Sequence, residues 1–230
     1  ATVGAQGPSY TITNVETAPN QYLAKRLHGL MTVPLYLNRA DPGDDEHIVR
    51  DSSGKPIQNG TAQYEFVILI PPSATDTTPA AILQNGHGLL GSKEEGTDSY
   101  FAQICATYNY IGVAVDWIGM AHDDNETLVD AVTQDVTVFK NAVDRQHQGL
   151  VNALLAMRMM TGSIASDPEL QMNGKSIVDT AHRYYRGGGQ GGIFGTTYMS
   201  ITTDVERGML GEPGMPYELL LDRSQDFSPF

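Results

Sequence analysis

From residue 61 onward the chain alternates short, almost wholly apolar runs with stretches of helical periodicity, and no other feature limits its fold more. The runs are Phe66–Ile70, Ala80–Leu83, Ile111–Val115 and, less cleanly, Arg183–Arg186. A strand that is apolar at every position has both faces buried, which is how a parallel strand under crossover helices reads. Between Leu128 and Met157 the positions Leu128, Val132, Val136, Phe139, Val143, Leu150, Leu154 and Met157 recur at helical steps, predicting one amphipathic helix or two, with a bend at Gln146–Gly149. The order predicts an α/β protein: a mostly parallel sheet with helices on both faces. In such sheets function sits in loops at the carboxyl ends of strands.

Residues 1 to about 60 read differently. They are rich in Thr, Pro, Asn, Gly and Asp, and extended candidates at Tyr10–Val15 and Leu30–Leu37 predict an antiparallel, β-rich lead-in to a parallel-sheet core over 61–230. At 230 residues a single domain accommodates both. The acidic run Asp41–Glu46 lacks the ligand spacing of an EF-hand and reads as a solvated loop. The net charge of −13 repels phosphate backbones and excludes nucleic acid as a partner, and no apolar run is long enough to span a membrane. The lone Cys105 lies in an apolar stretch and reads as a buried thiol, and Met157, Met159 and Met160 read as core filling. A start at Ala1 fits removal of a signal peptide, giving secreted or periplasmic location as an expectation.

Two glycine-rich turns follow predicted strands. The first is Gln84-Asn85-Gly86-His87-Gly88-Leu89-Leu90-Gly91, where glycines let backbone N–H groups face a ligand. The second is Arg186-Gly187-Gly188-Gly189-Gln190-Gly191-Gly192, which leads into the apolar stretch Thr196–Ile201 as a strand, sharp turn and helix. Through Gly187, Gly189 and Gly192, with Glu206 further on, the second turn also satisfies the dinucleotide fingerprint, but several strands precede it where that motif belongs to the first.

Taken together, in this order and spacing and over nearly the whole chain, the two turns resemble the α/β-hydrolase family, in particular its bacterial secreted esterase branch. The resemblance implies that the His87-Gly88 turn supplies one oxyanion donor, from Gly88 or Leu89, and that residues 184–192 are the nucleophile elbow, with one extra residue, Arg186. The second oxyanion donor is then the N–H of Gln190, and Gly189 stands where the nucleophilic serine belongs. Glycine cannot attack a carbonyl, and losing a triad nucleophile costs about a million-fold in turnover, roughly 8 kcal/mol. The resemblance therefore implies a carboxylic ester hydrolase, or less readily an amide hydrolase, that works without a cofactor through an acyl-enzyme and is inactive as this sequence stands.

The family orders its triad as nucleophile, acid, histidine, yet all six histidines precede the elbow and the last is His182. Acids do follow, at Asp204, Glu206, Glu212, Glu218, Asp222 and Asp226. Only about forty residues follow the elbow, with one strand candidate at Arg207–Leu210, so the family's C-terminal strands are missing, and the acid and histidine are expected either on a second polypeptide or to have been lost. The other reading is a catalytically dead hydrolase fold that binds a ligand or partner. Trp117, His122 and Arg186 are pocket candidates, Arg186 being near enough to the elbow to meet a substrate carboxylate. His122 beside Asp123 and Asp124 does not establish a metal site, and a helix start at Asp124 or Asn125 fits better. Ser92, Ser99, Ser163, Ser176, Ser200 and Ser224 lack the glycines that would make any of them a displaced nucleophile.

Overall fold

The computed structural model describes residues 3–43 and 45–214, together with 219, 220, 223, 225 and 228. The lead-in forms β1 (Ser9–Thr17) and β2 (Lys25–Pro34), and the apolar runs become β3 (Thr61–Ile70), β4 (Ala80–Gly86) and β5 (Tyr110–Val115). Helix α1 (Tyr100–Tyr108) crosses from β4 to β5, and α2 (Asn125–Thr133) and α3 (Phe139–Thr161) follow. A two-stranded hairpin, β6 (Gln171–Met172) and β7 (Lys175–Ser176), turns through Asn173 and Gly174, both at positive φ, as a tight hairpin turn requires. The chain then runs through β8 (Val178–Gly188), α4 (Gln190–Ile201) and β9 (Arg207–Gly211).

Seven strands make one sheet in the order β1-β2-β3-β5-β4-β8-β9. β1, β2, β3 and β5 pair antiparallel in succession, and β5, β4, β8 and β9 pair parallel. The parallel part thus excludes β3, where the sequence placed its beginning. β3 still reads as apolar throughout because both of its faces are covered: Phe66, Ile68 and Ile70 join the core under α3 and α4, while Val67 and Leu69 pack with Phe101, Ala102 and Cys105 of α1. Helices on both faces follow from that alternation. Cys105, Met157, Met159 and Met160 are fully buried.

No break occurs at Gln146–Gly149. α3 is continuous there, and the break lies at residues 134–138, where the Asp135 carboxylate accepts the Thr137 N–H at 2.9 Å and starts a new turn. Gln148 is buried because its amide serves the end of β2, accepting from Tyr36 N–H at 2.9 Å and donating to Pro34 O at 3.0 Å. Gly149 admits the Ile118 backbone, whose carbonyl oxygen would lie 3.0 Å from a Cβ there.

α2 starts at Asn125 as expected, with Asp124 at its N-cap position, but the Asp124 side chain makes no capping bond. One carboxylate oxygen accepts the N–H groups of Gly119 (2.6 Å) and Ala121 (2.9 Å), and the other receives Arg145 Nε at 2.5 Å. Nη1 of Arg145 donates to Glu46 at 2.7 Å and to Ala40 O at 2.7 Å, and all three charged residues are buried. One cation thus serves two carboxylates, of which Asp124 has the better set of donors. Glu46, from the acidic run read as solvated, is the residue left in excess, while Asp44 of that run lies outside the described residues.

Burial pushes the Glu46 carboxyl up to about 7, a rise that Arg145 only partly offsets. Because the folded state holds this proton more tightly than the unfolded chain, whose glutamates titrate near ~4.3, the contribution of Glu46 to stability is largest at low pH and is lost as pH rises through 7. Glu46→Gln keeps an acceptor for Arg145 without the charge. Its melting temperature relative to the parent is expected to rise between pH 5 and pH 8.5 in thermal melts, and a relative fall would mean that the charged form is the stabilising one.

Candidate active site

The sharp turn at the end of β8 determines what this end of the sheet can do. Gly189 stands between β8 and α4 at φ +54° and ψ −120°, a conformation that L side chains rarely adopt. Gly187, Gly191 and Gly192 must be glycine for a different reason. A Cβ on Gly187 would overlap the Gly191 carbonyl, one on Gly191 the Gly86 carbonyl, and one on Gly192 the Gly211 carbonyl. At Gly189 itself a Cβ would meet only Gly88 Cα, at 3.9 Å, and at Gly188 nothing within 4 Å. The turn is therefore closed around its flanks and open at its apex.

The first glycine turn faces that apex. β4 carries it beside β8, with Gly86 paired to Gly187. His87 is buried, and its two ring nitrogens have fixed roles: Nε2 accepts the Trp117 N–H at 2.7 Å, so Nδ1 carries the proton and donates to Gly88 O at 2.8 Å. Desolvation lowers the pKa of this ring, which keeps it neutral, and it acts as a strut between the loops after β4 and β5. Gly88 N–H donates to Glu95 Oε2 at 2.7 Å. Leu90 N–H donates to Met120 O at 3.0 Å and Gly91 N–H to Gly88 O at 3.1 Å. Among the described residues, the Leu89 N–H has no hydrogen-bond acceptor. Gln190 opens α4, ahead of the first bonds of the helix, which Gly192 and Ile193 donate to Gly189 O at 2.9 and 3.0 Å.

The remaining pocket candidates are placed elsewhere. Trp117 is no pocket wall, being 1% exposed and packed beneath the turn against Tyr185, Phe194 and Tyr198 at ring separations of 5.6–6.4 Å. Arg186 donates to Asn85 Oδ1, lies 5.0 Å over the Tyr100 ring and lines a cleft with Ile104, Tyr110 and Arg207. His122 is exposed and pairs with Asp123 at 3.3 Å. It lines a polar cleft of about 410 Å³ with Glu65, Ser92, Lys93 and Asp116, beside the first turn rather than over the elbow. Among the described residues no group of His, Cys, Asp and Glu could hold a metal ion, and no helix is long and apolar enough to cross a membrane.

Of the acids that follow the elbow, Asp204 is held by Arg158 at 2.8 Å and Glu206 by Arg183 at 3.3 Å, so Glu206 is not presented to a ribose. Glu218, Asp222, Asp226 and Ser224 lie outside the described residues. Sequence reading missed Glu95, whose run Ser92-Lys93-Glu94-Glu95 looks like a solvated loop and whose only signal is its place just after the first turn.

These contacts separate two kinds of glycine. Gly189→Ala should lower stability by about 1–3 kcal/mol through backbone strain alone. Gly191→Ala should cost more, because its methyl group would meet the backbone of β4. Denaturant melts check this order, and equal costs would contradict the geometry.

No family model and no curated protein matches the chain. Solved structures do. A Bacteroides fragilis protein assigned as an acetyl xylan esterase superposes on 88% of this chain and 47% of its own, with TM-score 0.54 and 12% identity. The acetyl xylan esterase of Paenibacillus sp. R4 covers 96% of this chain and 60% of its own, with TM-score 0.51 and 10% identity. The chain thus spans less than two thirds of either neighbour. With its strand order, helices on both faces and strand-turn-helix at Gly189, the chain has the α/β-hydrolase fold.

Proposed function

We propose that residues 86–91 and 187–192 are the oxyanion hole and nucleophile elbow of a carboxylic ester hydrolase of the serine type, in which Gly189 replaces the nucleophile. The observation that carries this reading is the backbone of Gly189, which adopts a conformation costly to any other residue while leaving open space where a side chain would stand. Of the two donors that sequence left open for the first turn, Gly88 is committed to Glu95, so the pair is Leu89 and Gln190. In the serine form the acyl group of an ester, less readily of an amide, would pass to residue 189 and then to water. In this reading the general base would come from outside residues 1–230, on a continuation or a second polypeptide, because every histidine precedes the elbow and the one in the first turn is a buried strut, and the acid that orients it would come with it. As it stands the chain turns nothing over. That same glycine favours a second reading, a hydrolase fold that only binds its ligand through the cleft.

A nucleophile that needs no general base separates the two. A thiol is partly ionised at neutral pH, more so at a helix N-terminus, so Gly189→Cys should be acylated by p-nitrophenyl acetate. The thiolate attacks the acetyl carbonyl, the C–S bond forms, and p-nitrophenolate leaves. Gly188→Cys, one residue away in equally open space, is the reference, and Cys105 stays silent because burial raises its thiol pKa to about 12. With an oxyanion hole in place the thiol introduced by Gly189→Cys should react about 10²-fold faster than the one introduced by Gly188→Cys, the effect of one such donor. Equal rates would leave the binding reading. Dinucleotide binding predicts protection against thermal unfolding by NAD or FAD, and no shift is expected.

A further inference from the structure

We infer that Glu95, Tyr100 and Arg186 form a positioning relay that sets the oxyanion turn against the elbow, and that this is what the extra arginine in the elbow motif does. The inference rests on the proposed function and adds to it residues that the motif does not contain.

The relay can be followed bond by bond. Arg186 lies on β8 three residues before Gly189, in register with Asn85 on β4. Its Nη1 donates to Asn85 Oδ1, tying the elbow strand to the strand that carries the first turn. Its guanidinium lies 5.0 Å over the ring of Tyr100, the first residue of α1. Tyr100 donates its hydroxyl proton to Glu95 Oε1, and Glu95 Oε2 accepts the Gly88 N–H at 2.7 Å. A Cβ on Gly88 or Gly91 would lie 3.3 or 3.0 Å from that same oxygen, so the turn is wrapped around the carboxylate.

Peptide geometry gives this wrapping its consequence. The Gly88 N–H belongs to the 87–88 peptide, and Glu95 fixes that plane. The next peptide, 88–89, is fixed by its carbonyl, which accepts from His87 Nδ1 at 2.8 Å and from Gly91 N–H at 3.1 Å. In a trans peptide the N–H points opposite to the C=O, so anchoring Gly88 O from one side aims Leu89 N–H to the other. Two successive planes are thus held, and the second sets the direction of the proposed donor. A carboxylate beside an oxyanion hole would by itself disfavour the developing negative charge. Arg186, joined to Glu95 through Tyr100, offsets it. Without Glu95 the Gly88 N–H would need another acceptor, and the turn would rotate to find one.

The test uses Gly189→Cys as background and compares two reactions of the same thiolate. Acylation by p-nitrophenyl acetate develops an oxyanion. Alkylation by iodoacetamide forms a C–S bond and expels iodide without one. Adding Glu95→Ala or Arg186→Met should slow acylation about tenfold or more, part of the loss expected for a whole donor, and leave alkylation unchanged. Glu95→Gln, whose amide oxygen can still accept the Gly88 N–H, should recover most of the acylation rate. Equal slowing of both reactions would mean that the residues only maintain the fold, and an unchanged acylation rate would mean that they do not aim the donor. Either result overturns the relay. If the Gly189→Cys background is acylated no faster than Gly188→Cys, the proposed function fails first, and the relay with it.

Discussion

The site depends on how closely three strand ends approach one another. Gly191 and Gly192 let the turn after β8 lie directly on the carbonyls of its neighbours, Gly86 on β4 and Gly211 on β9, and Gly187 lets the end of β8 lie on the turn's own Gly191 carbonyl, with no side chain between. That contact brings the apex of one turn, Gly189, against the other, at Gly88. It also places the start of α4 over the ends of β4 and β8, where Tyr185 donates to Gly191 O at 2.6 Å and Tyr198 to Gln84 at 2.7 Å. The polar ends of these buried aromatics are satisfied by the elements they join, which fixes the helix in rotation as well as position.

A second level of support holds the loops that the close approach leaves free. His87 joins the first turn to the loop after β5 through the Trp117 N–H, and Asp124 gathers that loop through Gly119 and Ala121 before passing the connection to Arg145 on α3. Each of these links is a buried polar group whose partners are backbone N–H groups or a single cation. Removing one partner leaves the other without water to replace it, so the loops are tightly determined. On the function proposed above, a chain with glycine at the apex retains the geometry of a reactive centre without the atom that would react. The frame and the nucleophile are separable because the frame is made of backbone.

Much of this was legible in the sequence, in each case through a local residue pattern. β3, β4 and β5 announce themselves as uninterrupted apolar runs because α1 covers one face and α3 and α4 the other. The two turns are legible because close backbone approach admits only glycine. What was not legible depends on partners distant in the chain. The early part of β8 escaped because Asp179 and His182 are polar and partly exposed, and the register with β4 shifts between Ala81 and Ile82. Gln146 and Gln148 looked like a bend because nothing local shows that Gln148 serves β2. Glu46, in a run that read as solvated, and Asp124, which read only as a helix start, hid their buried partners for the same reason. The remote partners Glu46 and Arg145 lie 99 residues apart and Asp124 and Arg145 lie 21 apart, and no local pattern encodes such a pairing.

The most direct test of this account is a crystal structure of the Gly189→Cys variant after reaction with p-nitrophenyl acetate. The account predicts an acetyl group on the introduced sulfur whose carbonyl oxygen lies about 2.7–3.1 Å from the N–H nitrogens of both Leu89 and Gln190, with Gly88 still bound to Glu95. An acetyl oxygen turned to solvent, or one held by Gly88 after displacement of Glu95, would contradict it.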